Sequence, residues 1–115
     1  MKPTLFMLRP AFADPKVGPG TFFCPHTATI EGVLAMYPAL RERLEVRYVD
    51  FPRPRHAVIE LLGEANQACP ALVLPEEFGN VPIPGRSAQG RTFYVGATEI
   101  AEFLAAWAGI DRPHP

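Results

Sequence analysis

The stretch Phe22–Gly32, FFCPHTATIEG, decides how the chain is read, because it sets a cysteine and a proline where a helix is due to begin. Proline suits the first helical position: its missing N–H would be unpaired there anyway, and its fixed φ is already helical. Downstream, Ile30, Val33, Leu34 and Tyr37 recur at i, i+3, i+4 and i+7, which is one apolar stripe of a helix. Pro38 limits how far that helix runs. The spacing predicts a helix starting at Pro25, with Cys24 at its cap and Thr27 three positions after the cysteine.

Working outward, TLFML (Thr4–Leu8) is an almost continuous apolar run and reads as a strand buried on both faces. The loop between it and the helix is rich in Pro and Gly, as in DPKVGPG. LEVRYVDF (Leu44–Phe51) is rich in β-branched and aromatic residues and reads as a second strand. A second helix is predicted from Pro54, with Val58, Leu61 and Leu62 on its apolar face and Gly63 ending it in a left-handed conformation. ALVLP (Ala71–Pro75) and RTFYV (Arg91–Val95) read as two further strands. Thr98 is read as the cap of a last helix, striped by Ile100, Phe103, Leu104 and Trp107. The order is β-α-β-α-β-β-α in one domain, residues 1–115: a mixed α/β sheet of four strands with three helices. The first three strands are expected to pair in parallel through helical crossovers, and the last two to pair antiparallel.

Composition narrows the function classes. A chain of 115 residues, 48% hydrophobic, holds one core. Eleven basic and twelve acidic residues leave a net charge of −1, which supplies no field to draw in nucleic acid or an anionic membrane. The apolar run Leu5–Leu8 is too short for a signal-peptide core or a membrane span, so a cytoplasmic location is expected. In that compartment Cys24 and Cys69, the two cysteines, stay reduced by default.

The chemistry of Cys24 depends on its anion. A free thiol, with pKa about 8.5, is mostly protonated at neutral pH, and the thiolate is the nucleophile. A helix start offers unpaired N–H groups and the positive end of the helix dipole. The Thr27 hydroxyl is a candidate donor to the sulfur, and a protonated His26 would add positive charge nearby. Equally, both cysteines are a residue type often buried without any chemistry. Arg53 and Arg55, at the start of the second helix, either hold an acidic ligand in forked geometry or are solvated side chains. Cys24, His26, Cys69 and His56 carry ligand atoms but no C-x-x-C or H-x-x-x-H spacing, so no metal is expected. His56 is read as a surface residue of the second helix.

The strand order, the Cys-Pro pair at the first helix and CPALVL, with Pro70 just before the third strand, together resemble the thioredoxin and glutaredoxin superfamily. FFCPHTATIEG, VDFPRPRHAVIELLGEANQ and CPALVLP look like a family of small bacterial thioredoxin-like proteins of unknown function. The resemblance covers nearly the whole chain. It implies a cis Pro70 facing the first helix start, and hence Cys69 close to Cys24. Where dithiol members carry a resolving cysteine this chain has Thr27, so a Cys24 mixed disulfide would be resolved by an external thiol such as glutathione, or by Cys69. In glutaredoxin-like proteins the glutathione site is built from corners that here would be Arg53 or Arg55, Cys69, and Gly96–Glu99 with Thr98. This chain departs from the pattern in having Ala68 and Cys69 before Pro70, and Glu99 in place of a shorter acidic residue.

Between the third and fourth strands, EEFGNVPIPGRSAQG (Glu76–Gly90) is long for an antiparallel connection. It reads as a lid or partner-binding loop, or as a disordered insertion, the insertion being preferred because Phe78, Val81 and Ile83 are its only large apolar anchors. Two functions follow. One is a thiol-dependent oxidoreductase with Cys24 as nucleophile, Pro25, His26 and Pro70 shaping its site, and a small thiol or protein disulfide as partner. The other is a non-catalytic thioredoxin-fold binding module.

Overall fold

The computed structural model describes residues 1–115. Thr4–Leu8 forms strand β1, and all five residues are buried. An apolar run without alternation needs cover on both faces, and β1 has it. Leu5 and Met7 point into one core, while Phe6 and Leu8 point into the other. On one side of β1 lies β2 (Glu45–Val49), parallel, in register from Thr4 opposite Glu45 to Leu8 opposite Val49. On the other side β3 (Ala71–Val73) runs antiparallel. Two more antiparallel strands follow, β4 (Arg86–Ala88) and β5 (Arg91–Val95), giving the sheet order β2-β1-β3-β5-β4.

Four helices cover this mixed, open sheet: α1 (Pro25–Met36), α2 (Leu40–Arg43), α3 (His56–Leu62) and α4 (Gly96–Ala108). The stripes Ile30 and Leu34 of α1 and Ile100, Phe103 and Leu104 of α4 pack on Leu5, Met7, Leu72 and Tyr94. Val58 and Leu62 of α3 pack on Phe6, Leu8, Val73 and Phe93 on the opposite face. A fully buried Leu or Phe side chain contributes about 1.5–3 kcal/mol, so these two layers supply most of the driving force. No helix is long and apolar enough to cross a membrane.

The expected four strands and three helices are therefore corrected to five and four. The added strand β4 lies inside the segment read as an insertion. Gln89 and Gly90 take positive φ, 51° and 74°, between the paired Ala88 and Arg91, making a two-residue hairpin turn. Two of its three apolar anchors hold the rest of that segment down: Phe78 and Ile83 lie against the core, and the Tyr94 hydroxyl donates to the Ile83 carbonyl at 2.7 Å, while Val81 and most of the residues between are exposed. The added helix α2 is a single turn after Pro38, held by burial of Leu40 and Leu44.

Parallel pairing of the first three strands is corrected as well, since β3 opposes β1. The chain leaves β2 near Phe51 and Arg55, descends through α3, and climbs back through residues 63–70. The Arg55 guanidinium donates to the carbonyls of Phe51 and Gln67, so both ends of the connection lie at one end of the sheet. A strand entering from that end must run against β1. Pro54 does not start α3; it follows a cis bond from Arg53 in the preceding turn, and the helix begins at His56, an exposed residue. Gly63 ends α3 with φ 84° and ψ 167°, positive but not left-handed helical. The second and third strands are shorter than read, because Leu44 closes α2 and the ladder stops at Val49 and Val73.

Candidate functional site

Cys24 is the N-cap of α1, with extended φ and ψ of −80° and 118°. Pro25 occupies the first helical position and brings no N–H, so the sulfur turns to the next free amides. The Thr27 N–H donates to Cys24 Sγ at 3.5 Å, while the Cys24 carbonyl accepts from Ala28 at 3.0 Å and starts the helix ladder. No acidic side chain stands in the first turn of α1, so nothing competes with the sulfur for the positive helix end.

Thr27 stabilises the sulfur differently from the sequence reading. Its backbone N–H, not its hydroxyl, meets the sulfur. The buried Oγ1 instead accepts the Leu8 N–H at 3.2 Å, tying α1 to the end of β1. The His26 side chain links two helices: its Nδ1 accepts the Ala97 N–H at 3.0 Å and joins the starts of α1 and α4. Gly96 takes φ 85°, a backbone conformation that residues with a side chain rarely adopt, and a Cβ there would meet His26 Nδ1 only at an ordinary 3.5 Å, so the backbone angle is what calls for glycine.

Across from Cys24 stands the Cys69–Pro70 bond, which is cis. Pro70 is buried, and its carbonyl accepts from Gly96 N at 3.0 Å, so the first turn of α4 holds this bend. Cys24 and Cys69 are both half-buried, pack on the same core cluster, and line one groove of about 420 Å³. Burial pushes the Cys69 thiol above its ordinary value, against the opposing pull of the Arg55 guanidinium.

The two arginines separate. Arg53 is exposed at the groove rim. Arg55 is buried, 7% exposed, and its donors go to main-chain oxygens: Nε and Nη2 to Phe51 at 3.0 and 2.7 Å, Nη1 to Gln67 at 2.8 Å. It is a structural clamp, not a forked site for an acidic ligand. Burial lowers its own basicity, and the charged forms of Cys69 and Cys24 offset part of that. Thr98 does not cap α4. The cap is Val95, and Thr98 lies exposed in the first turn. The Glu99 carboxylate takes the Val95 N–H at 3.1 Å and the Arg86 guanidinium at 3.2 and 2.7 Å.

The structure thus brings together Cys24, Pro25, Thr27, Cys69, Pro70, Arg53 and Arg55, with His26 behind them and Thr98 apart. Sequence reasoning missed the groove's aromatic wall. Phe12 and Phe22 pair across the Pro- and Gly-rich loop by main-chain bonds of 3.2 and 2.8 Å. Phe12 stacks on Phe51 at 4.2 Å, and Phe23 stands 63% exposed beside Cys24. The signal was available: two phenylalanines bracketing a breaker-rich loop mark a closed loop. No such signal joins Arg55 to Gln67. No three His, Cys, Asp or Glu side chains come together as a metal ligand set.

The model of one protein family, described as "Protein of unknown function (DUF3088)", matches residues 2–112. No curated protein and no solved structure matches the chain.

Proposed function

We propose that this chain, which belongs to the DUF3088 family, is a thioredoxin-like protein that carries out thiol–disulfide exchange through Cys24, with glutathione as its small-thiol co-substrate. The observation that carries the reading is the cap: a cysteine sulfur accepting a first-turn amide, open to a groove whose far wall is a Cys–cis-Pro bend. A thiolate at that place gains the Thr27 N–H and the helix end. The strand order β2-β1-β3-β5, with β3 and β5 antiparallel and β4 added at the edge, supports the thioredoxin-like part of the reading.

In the reaction, Cys24 thiolate attacks one sulfur of a bound disulfide. That S–S bond breaks, the far sulfur leaves as a thiolate and takes a proton, and a mixed disulfide remains on Cys24. A second thiol then attacks the mixed disulfide and returns Cys24 to its starting state. The backbone of Cys69, just before β3, makes no main-chain hydrogen bond, which leaves it free to align an extended disulfide substrate. The groove is lined mainly by apolar side chains, with Asp14, Arg53 and Arg55 as its charged members.

The test is glutathione-dependent reduction of hydroxyethyl disulfide, comparing the parent with Cys24→Ser. The expected result is a parent rate well above the uncatalysed one and a variant rate equal to it. Equal rates in both proteins would remove Cys24 from the chemistry and leave the groove to a non-catalytic binding role.

A further inference from the structure

We infer that Cys69 is the resolving thiol of this site and closes a Cys24–Cys69 disulfide across the groove. The inference rests on the exchange chemistry proposed for Cys24. Helix α1 offers no second thiol, because position 27 is a threonine whose hydroxyl is held by Leu8 N–H. The chain has one other cysteine, and it lines the same groove and packs on the same cluster as Cys24.

The surroundings of Cys69 fit the role. The Gln67 carbonyl accepts Arg55 Nη1 at 2.8 Å and receives the Cys69 thiol at 3.8 Å. One oxygen thereby sets a buried cation beside the Cys69 sulfur. Burial favours the neutral thiol in the resting groove, so Cys69 is not the first attacker. When it gives up its proton, the Arg55 charge stabilises the anion that forms. Arg55 is fixed for this by the Phe51 carbonyl, which holds its other two donors.

For an external acidic thiol the groove leaves one cation, the exposed Arg53 at its rim. Of the two arginines at the groove, Arg55 is engaged by carbonyls. The Ala97 N–H at the start of α4 is engaged by His26, and Glu99 is engaged by Arg86 and the Val95 N–H. An internal thiol needs no such anchorage, and its closure is unimolecular.

Atoms and electrons balance over two exchanges. Cys24 thiolate attacks RS–SR′, that bond breaks, and R′S⁻ leaves. Cys69 loses its proton to solvent and attacks Cys24 Sγ; the Cys24–SR bond breaks and RS⁻ leaves. With two protons from the solvent the substrate becomes RSH and R′SH, reduced by two electrons, and the protein is oxidised to the 24–69 disulfide. Two equivalents of a low-molecular-weight thiol reduce that disulfide and leave as their own disulfide.

The experiment exposes the fully reduced chain to hydroxyethyl disulfide, quenches in acid, and reads intact mass and disulfide-linked peptides. The expected result is a 24–69 linkage in the parent and arrest at a Cys24 mixed disulfide in Cys69→Ser, with the same arrest in Cys69→Ala. A parent that also stops at the Cys24 mixed disulfide would overturn the role of Cys69 and leave exchange at Cys24 intact. A parent with Cys24 unmodified would sink the exchange reading, and this inference with it.

Discussion

Replacing Arg55 by methionine tests whether one buried guanidinium holds the Cys69 side of the groove. The side chain makes three hydrogen bonds to two main-chain carbonyls, those of Phe51 and Gln67, at 2.7–3.0 Å, and it lies over the Phe51 ring. Methionine fills similar space without a donor, so both carbonyls lose their charged partner. A hydrogen bond to a charged group is worth about 1.5–3 kcal/mol. Two carbonyls that each lose a charged donor, Gln67 keeping only the weak Cys69 thiol, put the loss at about 3–5 kcal/mol. Against a total stability of about 5–15 kcal/mol, that is a large fraction. At about 4 °C per kcal/mol for a domain near this size, the melting temperature falls on the order of 15 °C. Arg55→Lys keeps one contact and is expected to fall about half as far, because a single ammonium cannot fork between the two oxygens. Thermal unfolding followed by circular dichroism gives the first readout. Amide hydrogen exchange across residues 63–70 gives the second and should speed up, since the clamp joins both ends of that connection. A methionine variant melting within about 2 °C of the parent, at that same scale, would refute the clamp.

Other substitutions probe other joints. Thr27→Val removes the acceptor for Leu8 N–H and is expected to cost about 1–3 kcal/mol in urea unfolding. Because the backbone N–H that meets Cys24 remains, Cys24 exchange in the native state should keep its parent rate; a large loss would restore a direct role for the hydroxyl. Gly85→Ala puts a methyl 2.8 Å from the Tyr94 ring, itself buried and pinned to Ile83, so overpacking should cost about 1–3 kcal/mol in the same assay, and a neutral result would show that this turn yields freely. The Arg86 fork holds the Glu99 carboxyl below its ordinary range, so the pair adds stability above that range and loses it as pH falls through the folded-state value. Glu99→Gln should accordingly differ from the parent at neutral pH, begin to converge with it below about pH 4, near the ordinary carboxylate range, and match it once the lowered folded-state value is passed; a difference that persists in strong acid would mean that the ion pair is not its source.

What the sequence made legible was what periodicity carries. Ile30, Val33, Leu34 and Tyr37 announced α1, and Ile100, Phe103, Leu104 and Trp107 announced α4, because burial of one stripe is a local property of the chain. The unbroken run Leu5–Leu8 likewise announced a strand with a core on each face. The direction of β3 was not legible, since it depends on where residues 63–70 return, and that is decided by the Arg55–Gln67 contact twelve residues apart. Strand β4 was hidden because Arg86, Ser87 and Ala88 show no apolar alternation and the turn uses Gln-Gly in place of Asn-Gly. At the site, Cys24 at the helix cap followed from residue type and position, and the cis bend at Pro70 from the resemblance to thioredoxin-like proteins. The partners of Thr27, His26 and Arg55 did not, because each is a long-range bond to the main chain of another element.

The central claim is that the fold activates the sulfur of Cys24. Its most direct measurement uses Cys69→Ser, which leaves one thiol, and times mixed-disulfide formation with hydroxyethyl disulfide at pH 7 in buffer and again in denaturing urea. The N–H contact and the helix end stabilise the thiolate, which is at the same time a somewhat weaker nucleophile than a free one, so the native chain is expected to react severalfold faster than the unfolded one. A native rate equal to or below the unfolded rate would contradict the account.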